Sequence, residues 1–298
     1  MTTDQLAPNI RRVTAVGMRR PKRVTVIERR KPGFFHAVAE LWRYRRYSLY
    51  FGGIFLNQRL MRTWLGGLWL PLRPGMNIAA KVLVFGGLVG IKTGDVPYAV
   101  FFLTATAGWQ LFNEAALWAT RSLDLNRALL RRVHIPRLVV ILGAAVPAAV
   151  DFCINLGIAG IALLYYFVRA HKVYIHLNWW SPLEISCGLF LLVALGVGVG
   201  VITASRAARA RDVRYLVMFL FGFVYWLTPV IYPFSRIPNH YKPIAELNPV
   251  TGAMELFKVG LFHSEPITPK ALTVSIIAVF VCWVPGLWLF HRHEVRDW

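Results

Sequence analysis

"RSLDLNRALLRRVHIPRL", Arg121 to Leu138, carries five arginines and a histidine between two strongly apolar runs. The flanking runs, about 98–120 and 138–168, each reach the ~20 residues that a helix needs to cross a bilayer. The basic stretch cannot cross. Two spans joined by a positively charged connection read as a helical membrane protein with this connection in the cytoplasm. Taken as a helix from about Leu125, the stretch puts Leu129 and Val133 on one face and Arg127, Arg131 and His134 on the other. Asp124 is the expected N-cap, and Pro136 marks the stop before the next span.

The rest of the chain agrees with that reading. Of 298 residues, 56% are hydrophobic and 16% charged, where a soluble domain carries roughly a quarter charged. Further apolar runs at about 65–90, 183–203, 215–232 and 270–290 bring the expected total to about six spans. The third run is long enough to tilt or to extend past the bilayer. The fold class is therefore an all-α integral membrane protein.

A net charge of +20 raises nucleic acid as a partner, but the cations cluster between spans rather than along one stripe. Arg121, Arg127, Arg131, Arg132 and Arg137 follow the second span, and Arg206, Arg209, Arg211 and Arg214 follow the fourth. The alternate connections hold fewer: Lys92, then Arg169 and Lys172, then Arg236, Lys242 and Lys258. The bias puts both termini in the cytoplasm, with no nucleic-acid role. No cleavable signal peptide is expected, because the first apolar run comes late and follows a dense series of cations.

Residues 1–33 read as a basic cytosolic tail in which "RVTAV" and "RVTVI" are weakly strand-like. Residues 34–62 form the second unit. Phe34, Val38, Leu41 and Trp42 recur at helical spacing among Arg43, Arg45 and Arg46, which predicts an amphipathic helix on the inner membrane surface. A glycine break at Gly52-Gly53 is expected before it continues through "SLYFGGIFLNQRLMR". Residues 63–298 form the spanning domain. Within it, Pro233–Pro269 is half apolar and broken by prolines, so re-entrant or interfacial helices are expected before the last span; an ordinary extracytoplasmic loop is the alternative.

No catalytic group of residues is legible. "GGLVGIKT", Gly86–Thr93, imitates a phosphate loop, but Ile91 separates Gly90 from Lys92. "HRHEV" lacks the paired histidines of a zinc protease, and no metal-ligand spacing occurs. Cys153, Cys187 and Cys282 all lie in apolar runs and read as packing residues. Ionisable groups inside spans are stronger candidates. Lys81, Glu114 and Asp151 are such groups, and three readings stand: a buried Lys81–Asp151 pair that orients helices, contact with a polar substrate, or a water-filled crevice. Trp109, Phe112, Tyr225, Trp226 and Tyr232 stand out among the many aromatics, which either belong to interfacial belts or present faces on which a sugar stacks.

Several strings then resemble a family. "RTWLGGLWLPLRP" (Arg62–Pro74) with "VFG" (Val84–Gly86), "PYAVFFLTATAGWQLFNEA" (Pro97–Ala115), "SLDLNRALLRRVHIPR" (Ser122–Arg137), "TPVIYP" (Thr228–Pro233) and "LNPVTGAMELFK" (Leu247–Lys258) occur in order. Together they resemble the type-two ABC export permeases, most closely the exporters of O-antigen, teichoic acid and capsule, from about Phe34 to the C-terminus. The resemblance implies a homodimer in the bacterial cytoplasmic membrane that binds two copies of a separate ABC ATPase. The implied cargo is a polyprenyl-diphosphate-linked glycan. No cofactor is implied in this chain, since ATP and magnesium belong to the partner.

The resemblance also implies residue roles. Asn126, Arg127, Leu129, Arg131, Arg132, His134, Arg209 and Arg211 would meet the ATPase. Arg59 and Arg62 would border head-group access, with snorkelling cations as the other reading. Tyr225, Trp226, Tyr232, Trp109 and Phe112 would line a glycan channel, and Pro233–Phe262 would form the gate helices. Two other functions remain: a permease of the same superfamily for drugs or smaller lipids, and a glycosyl- or phosphotransferase on polyprenyl carriers. The second would need clustered loop carboxylates, and these loops are arginine-rich.

Overall fold

The apolar runs fold as helices, and the order of the elements follows their order in the sequence. The computed structural model describes residues 43–60, 64–130, 132, 135–262 and 267–294, and among them there is no β-strand. The N-terminal tail and most of the expected amphipathic helix lie outside the described residues. Among the described residues, three helical stretches are long and apolar enough to cross a membrane: Arg137–Ala170, Ser181–Ala207 and Pro269–Trp288.

Helix α1, Arg45–Leu60, runs unbroken through Gly52-Gly53, contrary to the expected break. The reason is packing. Gly52 lies against the following helices, where a Cβ would collide with the Val146 side chain and come within 3.0 Å of Gly143 O. The first apolar run is composite: a 3₁₀ turn at Gly66–Leu68, α2 at Trp69–Lys81, then a π-helical stretch at Val82–Leu88. There the Val89 amide bonds five residues back, to Val84 O at 2.9 Å. A Cβ on Gly86 would stand 2.6 Å from the Tyr98 ring, so this stretch can sit close to the next helix.

Helix α3, Tyr98–Leu125, is the axis of the bundle, buried along most of its length. The short α4 follows at Arg127–Leu130. The third apolar run divides at Gly143-Ala144 into α5, Arg137–Leu142, and α6, Ala145–Ala170. Helix α7, Ser181–Ala207, is the second central helix. It packs mainly on α3, and small residues set the approach: a Cβ on Gly196 would lie 2.6 Å from Phe112 O, and one on Gly200 would overlap Ala119. In lipid, helices gain from such close contact because apolar area alone favours no partner over the hydrocarbon chains. Thr120 and Thr203 hydroxyls join the same pair of helices at 2.8 Å.

Helix α8, Asp212–Leu227, buries only Val217 and leaves Leu216, Phe219, Leu220 and Phe223 exposed. A run of large apolar side chains facing outward suits lipid and not water. The proline-broken segment is structured: a 3₁₀ turn at Phe234–Arg236, α9 at Lys242–Leu247 and α10 at Thr251–Phe262. Helix α10 is buried between α7 and α11, Pro269–Glu294. A Cβ on Gly252 would overlap Ala271 O, while Trp283 Nε1 donates to Ala194 O at 2.9 Å and holds α11 to α7.

Candidate functional site

Charge enters the bundle at the end of α1. Phe51 and Phe55 are fully buried and anchor that helix, with the Phe55 ring 5.6 Å from that of Trp118. The anchor carries Arg59, one turn on, over α6. There its Nη1 donates to Asp151 Oδ2 at 2.5 Å, and the Asp151 side chain is 7% exposed. Ala148, Asp151, Asn155 and Ala159 recur at near-four-residue spacing and form the buried face of α6. Asn155 Nδ2 donates to Asp151 O at 2.8 Å, within the helix.

The Lys81–Asp151 pair does not form. Asp151 takes Arg59, and Lys81 Nζ donates to Tyr225 Oη at 3.2 Å and lies 4.5 Å from that ring's centroid. The guanidinium presents a planar fork that suits a carboxylate, whereas the ammonium is a point charge that a phenol and its π-face can satisfy. Glu114, half-buried on α3, lies within electrostatic reach of Asp151, Arg59 and Arg121.

Tyr225 is the centre of an aromatic group. The Trp109 ring lies 5.3 Å from that of Tyr225 and 5.4 Å from that of Phe112, which in turn lies 5.0 Å from that of Phe221. Trp109 and Phe112 are buried in the chain's own core, whereas Trp226 is 56% exposed. Tyr232 Oη donates to Trp226 O at 2.8 Å, so these two share an edge.

At the far end of α3 the basic connections meet. Asp124 is not an N-cap: α3 continues through it, and its Oδ2 accepts from Arg214 Nη1 at 3.0 Å. The pair ties the last turn of α3 to the first turn of α8, beside two arginine-rich stretches far apart in sequence. The helix expected from Leu125 begins two residues later, as α4 at Arg127–Leu130, because Asn126 is buried, ends α3 and folds its Nδ2 back onto Ser122 O at 3.0 Å. Arg127, Arg132, Arg209 and Arg211 are exposed, and Leu129 packs against the core. Arg62, Arg131, Val133 and His134 lie outside the described residues.

The opposite end holds residues that the sequence reading did not single out as a site. Asn248 Nδ2 donates to Thr228 Oγ1 at 2.8 Å, and its Oδ1 accepts from the Val250 amide at 3.0 Å, which fixes the start of α10 to the end of α8. Within α10, Lys258 Nζ lies 2.5 Å from Glu255 Oε1 and donates to Pro229 O at 3.0 Å. Both side chains are almost wholly buried. The available signal was an acid and a base three apart in "TGAMELFKVGLF", a helix otherwise nearly free of charge.

A family model described as ABC-2 type transporter matches residues 39–262. An O-antigen export system permease protein RfbA of Klebsiella pneumoniae is 22% identical over 241 residues, 81% of this chain and 89% of the relative. The protein of that name from Myxococcus xanthus is 21% identical over 262 residues, 86% and 96% of the two chains. Polysialic acid transport protein KpsM of Escherichia coli is 20% identical over 243 residues, 80% and 90% respectively.

Proposed function

The chain belongs to the ABC-2 type transporter family, and from that premise we propose that it is the permease subunit of a polysaccharide exporter. The observation that carries this reading is the breadth of the likeness: relatives named for O-antigen and for polysialic acid export each align with four-fifths or more of this chain. The cargo on this reading is a polyprenyl-diphosphate-linked glycan that crosses the bacterial cytoplasmic membrane outward. The chain works as a homodimer of about six spans per copy, with both termini in the cytoplasm.

Energy comes from ATP and magnesium in two copies of a separate ATPase, which docks on the arginine-rich end. Asn126, Arg127, Leu129, Arg131, Arg132 and His134 form that contact with Arg209 and Arg211, and the Asp124–Arg214 pair supports the union of the two stretches. Helix α1 is a gate at the inner surface. Arg59 and Arg62 meet the diphosphate by charge-assisted hydrogen bonds, and release of Arg59 from Asp151 frees α1 to move. Tyr225, Trp226 and Tyr232, backed by Trp109 and Phe112, offer faces to sugar rings. Helices α9 and α10 form the extracytoplasmic gate.

Depletion of this chain in its host tests the reading. Lipid-linked glycan is expected to accumulate inside the cell while surface glycan falls. Undiminished surface glycan would overturn it.

A further inference from the structure

The end of the bundle away from the arginine-rich connections contains a polar cleft of about 350 Å³. It lies beside the first turn of α3. That helix has 28 residues, so about 40 Å separates the cleft from the basic end. One wall is the Lys92–Gly94 turn, held by the Thr93 hydroxyl donating to Val96 O at 2.6 Å. The other wall is the Pro233–Arg236 turn, and α10 supplies the floor.

The floor has its charge already balanced. Lys258 is 4% exposed, paired with Glu255, bonded to Pro229 O, and 5.0 Å from the centroid of the Phe101 ring. A lysine fixed in this way is a rigid dipolar base and does not reach out to a ligand. Two further cations, Lys92 and Arg236, line the same cleft from exposed positions. Counting lining groups, three cations face one carboxylate, which leaves the cleft positive. Phe101 and Val259 give it an apolar side. The volume falls in the usual range of a small-ligand pocket, about 300–1,000 Å³.

We propose that this cleft binds a phosphate group, with Arg236 and Lys92 as the contacting groups above the Lys258–Glu255 floor. An arginine fork and a lysine together suit a tetrahedral oxyanion, which accepts several charge-assisted hydrogen bonds at once. The phosphate comes from a lipid head group or from solution. The site belongs to the fold of this chain and does not rest on which cargo it carries.

The test uses the full chain purified in detergent, as wild type, as Lys92→Gln/Arg236→Gln, and as Lys172→Gln/Lys270→Gln, which removes the same charge from exposed positions elsewhere. Calorimetric titration with sodium phosphate is compared with sodium chloride at equal ionic strength. Native mass spectrometry with added phosphatidylglycerol forms the second arm. Wild type and the distant double variant should bind alike, and the cleft variant at least about tenfold more weakly, the scale of losing a charged hydrogen bond. Saturable inorganic phosphate identifies a free-anion site, and retained phosphatidylglycerol without it identifies a head-group site. Binding in neither arm, or equal loss in both double variants, overturns the proposal.

Discussion

Arg59 on α1 and Asp151 on α6 meet at 2.5 Å, and this contact joins α1 to a helical stretch long and apolar enough to cross a membrane. The Asp151 side chain is 7% exposed and that of Arg59 29%. The two ends of the pair therefore differ in what their loss leaves behind. Removing Arg59 strands a buried carboxylate; removing Asp151 leaves a cation with partial access to water.

Arg59→Ala should therefore destabilise the purified protein by about 3–5 kcal/mol, the usual loss on breaking a buried pair. Asp151→Ala should cost less, and the double variant should recover much of the loss. Thermal unfolding of all four forms gives the coupling energy of the cycle. Strictly additive effects would show that the pair does not hold α1 in place.

Charge reversal of Arg127 and Arg131 to glutamate should uncouple ATP turnover from transport in a reconstituted complex, with assembly of the permease retained. Asp124→Asn should change stability by no more than about 1 kcal/mol, because its pair with Arg214 is partly exposed. It should still weaken coupling. The exchanged variant Asp124→Arg/Arg214→Asp should restore it. Coupling that is indifferent to every one of these changes would remove this face from the mechanism.

Tyr225→Phe keeps the ring against Trp109 and removes the hydroxyl that Lys81 uses. Its cost in stability should be about 1–3 kcal/mol, the price of leaving a polar group without its partner. Tyr225→Ala with Trp226→Ala should reduce glycan transport more than it reduces assembly. Flux assays beside size-exclusion profiles separate the two, and unchanged flux would make these residues packing groups only.

Gly252→Val should abolish accumulation of folded protein, because even a Cβ at this position overlaps Ala271 O. Overpacking costs about 1–3 kcal/mol where neighbours can move, and here the neighbour is backbone. Gly53→Val, where nothing lies within 4 Å of the added Cβ, is the matched control and should accumulate normally.

Most of the helices were legible in the sequence because lipid imposes one requirement on a spanning segment. A run of about 20 apolar residues must close its own hydrogen bonds. The runs 98–120, 183–203 and 270–290 lie within α3, α7 and α11. The division of the third run at Gly143 was not legible. Nothing local demands it; the backbone of α1 approaches there, and Ser48 O would lie 2.8 Å from an added Cβ. The absent break at Gly52-Gly53 has the same cause in reverse, since glycine serves there to admit Val146.

The sequence by itself determined the class, an all-helical membrane protein, from the length of its apolar runs and the placement of its arginines. It also marked Lys81, Glu114 and Asp151 as charges that need partners. Only the tertiary structure decided what those partners are. Arg59 rather than Lys81 reaches Asp151, Lys81 turns to Tyr225, and Asp124 leaves its expected capping role for Arg214. Hydropathy is summed along the chain and can be read there. A pairing depends on the rotation and offset of two packed helices, and those are set by close contacts such as Gly52 on Val146 and Gly200 on Ala119.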